Sequence, residues 1–270
     1  MSSAESAGVA PGRARLTGMR LLVVGAGTRS DPDFPAPPGN GRAIAVLAAR
    51  EGAAVACADM DTAAANATVG LIEQERGRAF AMTADVADPA QCTNMVAEAH
   101  RSLGGLDGLV LNVGIGLGLR LDGTSATDWD QVFAVNLRAH FLACRAALPL
   151  LADDGAIVFV GSVAGLRPGS DSPAYDASKA ALFGLCRQVS REGAPRNVRA
   201  NLVVPGLIDT PMGRGASARR PRREETSRRV PLRRQGTAWE VAYATVFLLS
   251  GESSYITAQP LVVDGGLTTL

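Results

Sequence analysis

The sequence predicts an α/β fold, a doubly wound parallel sheet with helices on both faces. Three observations lead there. Short, continuous apolar runs recur along the chain, as expected of strands buried on both sides. Helical stretches separate them, so strand and helix alternate. A cluster of glycines joins the first strand to the first helix.

In chain order, strands are predicted at 20–24, 54–58, 79–83, 108–111, 156–160, 199–204 and 261–263. Helices are predicted at 42–51, 89–103, 126–151, 173–192 and 238–249. No internal repeat or linker divides the 270 residues, a length that suits one domain with a full core. Residues 1–18, small and polar with two arginines, are expected to form a disordered tail, which leaves 19–270 as a single domain.

Composition narrows the function. A net charge of +1 gives no footprint for nucleic acid or a membrane surface. No apolar run reaches the roughly 18 residues of a membrane span, and the first residues lack the apolar core of a signal peptide. Cys57, Cys92, Cys144 and Cys186 lie far apart with no C-x-x-C pair, so free thiols in a reducing cytoplasm are expected, and no metal. His100 and His140 have no partner pattern and read as structural.

The residue pattern richest in chemistry is Ser162 with the run Tyr175-Asp176-Ala177-Ser178-Lys179. Tyr175 and Lys179 are four apart and share a helix face. A tyrosine alone, with a pKa of about 10, is a poor acid–base group at neutral pH. A nearby ammonium favours the phenolate, so Lys179 is expected to lower that value. Ser162 closes an apolar run at a strand end, where its hydroxyl can bond the substrate oxygen that Tyr175 protonates or deprotonates. The bland alternative is a surface tyrosine and lysine on an ordinary helix.

The segments Val160-Gly161-Ser162-Val163-Ala164-Gly165 and Tyr175-Asp176-Ala177-Ser178-Lys179-Ala180-Ala181-Leu182 closely resemble the catalytic region of the short-chain dehydrogenase/reductases. The likeness runs from about residue 19 to residue 266. It implies a Rossmann-type fold with a seven-stranded sheet in the order 3-2-1-4-5-6-7, a nicotinamide cofactor, and hydride transfer between an alcohol and a carbonyl. It also implies that Tyr175 is the acid–base, that Lys179 binds the cofactor ribose, and that Ser162 polarises the substrate oxygen. Asn136, in Val135-Asn136-Leu137, stands where the family keeps a helix-kinking asparagine that holds a water beside the lysine.

The first strand ends in Val24-Gly25-Ala26-Gly27, and a helix opens with Gly39-Asn40-Gly41. Glycines here let the backbone approach a pyrophosphate seated at the positive helix N-terminus. The family keeps one compact T-G-x-x-x-G-x-G turn. This chain has Val24 in place of the threonine, and eleven residues, Thr28 to Pro38, where one is usual. Four prolines (32, 35, 37 and 38) stiffen that insert, which is expected to lie over the pyrophosphate with Asp31 and Asp33 turned away, the alternative being a surface loop without contact to the ligand.

Asp59 ends the second strand, where an acid accepts from the adenosine ribose hydroxyls and repels a 2′-phosphate, so NAD is favoured over NADP. Arg29 in the insert is the counter-signal, and a helix cap is the other reading of Asp59, although Asp61 serves that purpose as well. Asp85-Val86 resembles the family's adenine contact, and Leu111-Asn112-Val113-Gly114 its N-N-A-G segment, with Asn112 and Gly114 retained. Pro205, Gly206, Ile208 and Thr210 match the P-G-x-I-x-T-P loop that holds the nicotinamide carboxamide. The C-terminal stretch, in which Ala258 replaces a usual glycine, implies a homotetramer.

The resulting expectation is an NAD-dependent enzyme acting on a small-molecule secondary alcohol or ketone. Its alternatives are an NADPH-linked reductase of 3-oxoacyl thioesters and, from another class, a nucleotide-sensing protein without activity. Between Arg214 and Arg234 there are nine arginines and two acids, an excess that suggests steering of an anionic substrate.

Overall fold

The computed structural model describes residues 3–28, 37–218 and 229–269. Arg29, Asp31 and Asp33 therefore lie outside the described residues, as do Arg219, Arg220, Arg222, Arg223 and Arg228.

Strands β1 (Arg20–Val24), β2 (Ala54–Asp59), β3 (Arg78–Thr83), β4 (Leu106–Leu111), β5 (Leu151–Val160), β6 (Arg199–Pro205) and β9 (Pro260–Val263) form one parallel sheet. Its order is β3-β2-β1-β4-β5-β6-β9. Two short strands, β7 (Ile208–Asp209) and β8 (Gly236–Thr237), pair separately near the C-terminal edge of that sheet. Helices α1 (Asn40–Arg50), α2 (Thr62–Gln74) and α8 (Ala238–Leu249) contribute to the core on one face; α3 (Pro89–Leu103), α5 (Ala139–Ala147) and α6 (Pro173–Gly193) contribute on the other.

The apolar runs divide by parity between two cores. Leu21 and Val23 face one side of the sheet, and Leu22 and Val24 the other. Phe159 on β5 is fully buried in the second core; each such side chain contributes about 1.5–3 kcal/mol on leaving water. Helix ends follow local chemistry. Asp88 caps α3 by accepting from the amides of Ala90 and Gln91, with Pro89 in the first turn, and Gly104 at φ +73° ends it. Thr237 and Glu240 form a reciprocal capping box on α8.

Two expectations are corrected. The helix expected over 126–151 breaks into α4 (Ala126–Phe133), a π turn over Ala134–Arg138, and α5. Pro149, which cannot continue a helix, follows soon after α5, and β5 starts at Leu151. The disordered tail expected at 1–18 is, from residue 3 onward, laid against α1 and α8. Leu16 is fully buried. The amides of Arg13 and Arg15 donate to Glu51 at 2.8 and 3.1 Å, and the Arg15 guanidinium donates to the same carboxylate at 2.6 Å. Glu51 is fully buried, and a buried carboxylate requires such partners. The composition of the tail concealed this because its binding surface belongs to distant residues.

Candidate active site

The C-terminal ends of β4 and β5, the π turn and α6 meet around Lys179. That residue is 3 % exposed, and its ammonium donates to the Val160 carbonyl at 3.1 Å and lies 5.7 Å from the centre of the Tyr175 ring. Ser162 begins the chain's exit from β5; its hydroxyl accepts from the Ala164 amide at 3.1 Å and favours the ionised form of Tyr175. Asn136 is fully buried in the π turn. Its side chain accepts from the Ile115 amide at 2.8 Å and donates to the Ile115 carbonyl at 2.9 Å and to Ser178 Oγ at 3.0 Å. Gly114 leaves room between these groups: a Cβ there would lie 3.1 Å from Lys179 Nζ and 3.6 Å from Asn136 Oδ1. The four residues singled out for catalysis thus share one site, and Asn136 is no exposed helical amide.

The electrostatics differ from expectation. Burial pushes the Lys179 ammonium down to about 8. Burial also pushes the Tyr175 phenol above its ordinary value; the hydrogen bond from Ser162 opposes this and neighbouring Asp176 reinforces it. The lowering anticipated from Lys179 is overridden, because desolvation penalises the phenolate more than the surrounding dipoles favour it.

The glycine segments are close-packed. Gly25 sits at φ +78°, and its carbonyl accepts from Asn112 Nδ2 at 2.9 Å. A side chain on Gly41 would collide with that carbonyl. The Gly27 amide donates to Asp59 at 2.8 Å, and the Gly39 amide donates to Thr28 Oγ1 at 2.9 Å, which pins together the two ends of segment 28–38. Helix α1 opens at Asn40 without a side-chain cap and without an acid in its first turn, and the Asn40 amide oxygen is buried with no partner among the described residues. Bare amides at a positive helix end beside closely approaching backbone suit a dinucleotide pyrophosphate.

Asp59 also accepts from the Asp61 amide at 3.1 Å, whereas Asp61 itself caps α2. Asp85 accepts from the Ala87 amide at 2.9 Å, and Val86 is buried beside it. Pro205 ends β6, the Gly206 amide donates to Val263, and Ile208 is buried. Thr210 accepts from the Gly213 amide at 3.1 Å at the start of α7 (Pro211–Ala218).

Of the arginine-rich stretch, Arg214, Arg229, Arg233 and Arg234 are described. Arg214 grips both carboxylate oxygens of Asp209 at 2.7 and 3.0 Å, and Arg234 grips Glu240 at 2.9 and 2.6 Å. These two charges are compensated locally, which weakens the steering argument. The sequence assigned no role to Thr28 and none of its own to Asp176, and read His140 as structural. His140 follows Asn136 by four residues, the one signal that could have drawn attention to it. Among the described residues no group of three or more His, Cys, Asp or Glu could hold a metal ion, and none of the helices is long and apolar enough to cross a membrane.

The profile of the family described as enoyl-(acyl carrier protein) reductase matches residues 37–268. The chain is 38 % identical to 2-(S)-hydroxypropyl-CoM dehydrogenase 3 of Xanthobacter autotrophicus over 239 residues, covering 86 % of this chain and 93 % of that protein. It is 35 % identical over 255 residues to the 3-oxoacyl-[acyl-carrier-protein] reductase FabG of Thermotoga maritima, covering 94 % and 99 %. A short-chain dehydrogenase from Burkholderia cenocepacia J2315, solved in complex with NADP, superposes with a TM-score of 0.84 at 36 % identity, over 94 % of this chain and all of that one. Matched over nearly its whole length in sequence and fold, the chain belongs to the short-chain dehydrogenase/reductase family, whose members are oxidoreductases that bind NAD(P).

Proposed function

We propose that this enzyme interconverts a secondary alcohol and a ketone with NAD, using Tyr175, Lys179, Ser162 and Asn136. The observation that carries the reading is the convergence of these side chains, with Lys179 buried and Asn136 locked on Ile115, at the strand ends that also bear the glycine segments. When bound, the nicotinamide ring supplies or accepts the hydride. Tyr175 moves the proton: its raised pKa keeps the phenol protonated at neutral pH, ready to donate to a carbonyl oxygen in the reductive direction. Ser162 donates a hydrogen bond to the same oxygen. Lys179 stabilises the phenolate left behind and binds the ribose hydroxyls. Asn136 holds the strand end at Ile115 against α6.

Asp59 supports NAD. Two backbone amides fix its carboxylate at the end of β2, where it repels a 2′-phosphate. The NADP complex of the Burkholderia neighbour argues the other way, so the cofactor assay is decisive. A panel of secondary alcohols and ketones, each with NAD(H) and NADP(H), is expected to give higher kcat/KM with NAD(H). Asp59→Ala should raise KM for NAD and relax the discrimination. Tighter binding of NADP by the wild type would overturn the preference. The Thermotoga relative favours a second reading, a reductase of 3-oxoacyl thioesters, here taken as NADPH-linked, which would show in the same panel as activity on a 3-oxoacyl thioester with NADPH. The reading includes a homotetramer in a reducing cytoplasm, supported by the family resemblance and by four buried free thiols.

A further inference from the structure

The turn between β1 and α1 has two limbs, and they are held in different ways. The near limb is bound to β2 and α2. The amides of Gly25 and Ala26 donate to the Ala58 carbonyl at 2.8 and 3.0 Å. The Ala26 carbonyl accepts from the fully buried Thr68 hydroxyl at 2.8 Å, and the Gly27 amide donates to Asp59 at 2.8 Å. The far limb, Gly39-Asn40-Gly41, opens α1. Gly39 is the extended residue before the helix, at φ −69° and ψ 159°, and no side chain caps the helix there. Gly41 fits against the Gly25 carbonyl. A hydrogen bond also crosses between the limbs: the Gly39 amide donates to Thr28 Oγ1 at 2.9 Å. Thr28 is 7 % exposed, and a Cβ on Gly39 would start 3.2 Å from its hydroxyl oxygen and 3.5 Å from the Gly27 carbonyl.

Eleven residues, Thr28 to Pro38, separate the limbs, and bringing together the ends of a longer segment costs more chain entropy. The first residue of that segment and the amide directly after its last one close it at its base. We propose that Thr28 is a positioning residue for the dinucleotide. Its hydroxyl holds the start of α1 against Gly25–Gly27, where the first amides of the helix, which have no partner within it, would take the pyrophosphate. The role belongs to the oxygen rather than to the volume of the side chain. Valine would fill the same buried space without accepting from Gly39, whereas serine would keep the acceptor.

The inference rests on the glycine segments binding a dinucleotide, so the wild type is first titrated with NADH and with NADPH, read by cofactor fluorescence. If neither binds, the site reading fails and the inference with it. For the tighter-binding of the two, Thr28→Val is expected to raise the dissociation constant about tenfold, the effect of one lost hydrogen bond. In turnover the loss should fall on KM for the cofactor more than on kcat. Thr28→Ser should bind within about twofold of wild type, since it keeps that bond. A role in packing alone predicts the reverse, because serine loses the methyl group that valine keeps. Exchange of the Gly39 amide in the cofactor-free protein, followed by NMR, reads the clasp without ligand. That amide should be protected in wild type and Thr28→Ser, and exchange at least about tenfold faster in Thr28→Val. An unchanged dissociation constant in Thr28→Val, equal losses in the two variants, or equal Gly39 exchange in wild type and Thr28→Val would overturn the inference and leave the site reading intact. If Thr28→Val fails to fold, Thr28→Ala is compared with Thr28→Ser under the same expectations.

Discussion

At the N-terminal edge of the sheet, Arg20 grips Asp107 through both carboxylate oxygens at 2.7 and 2.8 Å. Arg196 holds Asp153 at 2.8 Å, and the buried Arg199 donates to the carbonyls of Leu248, Leu249 and Ser250 at the end of α8. At the C-terminal edge, the Lys179 ammonium donates to the Val160 carbonyl, and Asn40 Oδ1 and Asp176 Oδ1 are buried without partners among the described residues. A cleft of about 410 Å3 lies at the first edge, lined by Arg20, Asp107, Asp153 and Arg199. Internally matched charge marks an edge built for stability, whereas polar groups left unmatched lie at the edge proposed to receive ligand and proton.

The largest expected effect separates the two edges outright. Tyr175→Phe should lower turnover at least about a hundredfold while the NAD dissociation constant, read by fluorescence titration, stays within error. Asp107→Ala, at the opposite edge, should leave kcat unchanged.

Next in size is the pH response of Lys179. Its folded value of about 8 lies below the ordinary 10.5, so the ammonium is lost as pH rises through about 8. Cofactor affinity is expected to weaken above that point by up to about tenfold per pH unit. In the unliganded protein the sign for stability is opposite. Between about 8 and 10.5 the unfolded chain binds a proton that the folded chain has released, so this group's contribution to stability rises with pH. Lys179→Ala should remove both trends, and a titration showing flat cofactor affinity up to pH 10 would contradict the burial argument.

The matched edge yields smaller numbers. Asp107→Ala strips Arg20 of a bidentate partner and should lower stability by about 1–2 kcal/mol in urea unfolding. A loss of activity without a loss of stability would break the division between the edges. The smallest effect is expected beyond both, at Ala258, which occupies the left-handed region at φ +60° where a glycine is usual in the family. Ala258→Gly should stabilise the protein by at most about 1 kcal/mol, the gain from relieving that conformation offset in part by unfolded-chain entropy.

Much of this architecture is legible in the residues themselves. The strand 20–24 and the helices 89–103 and 238–249 are found at their expected bounds, because buried strands read as apolar runs and Asp88, Pro89, Gly104, Thr237 and Glu240 signal helix ends locally. Ser162, Tyr175 and Lys179 were legible because one strand end and one helix turn hold them. Asn136 came from the resemblance alone, and the π turn that buries it depends on contacts with Ile115 and Ser178.

The sequence by itself determined the order of strands and helices, the glycine segments and the chemical types gathered around Lys179, since each depends on near neighbours along the chain. Only the tertiary structure decided that residues 3–18 fold onto Glu51, that Arg214 and Arg234 are compensated, that Tyr175 is pushed up rather than down, and that His140 is buried against Phe159. The physical reason is common to all four. Desolvation and ion pairing are set by everything packed around a group, and those neighbours come from distant parts of the chain.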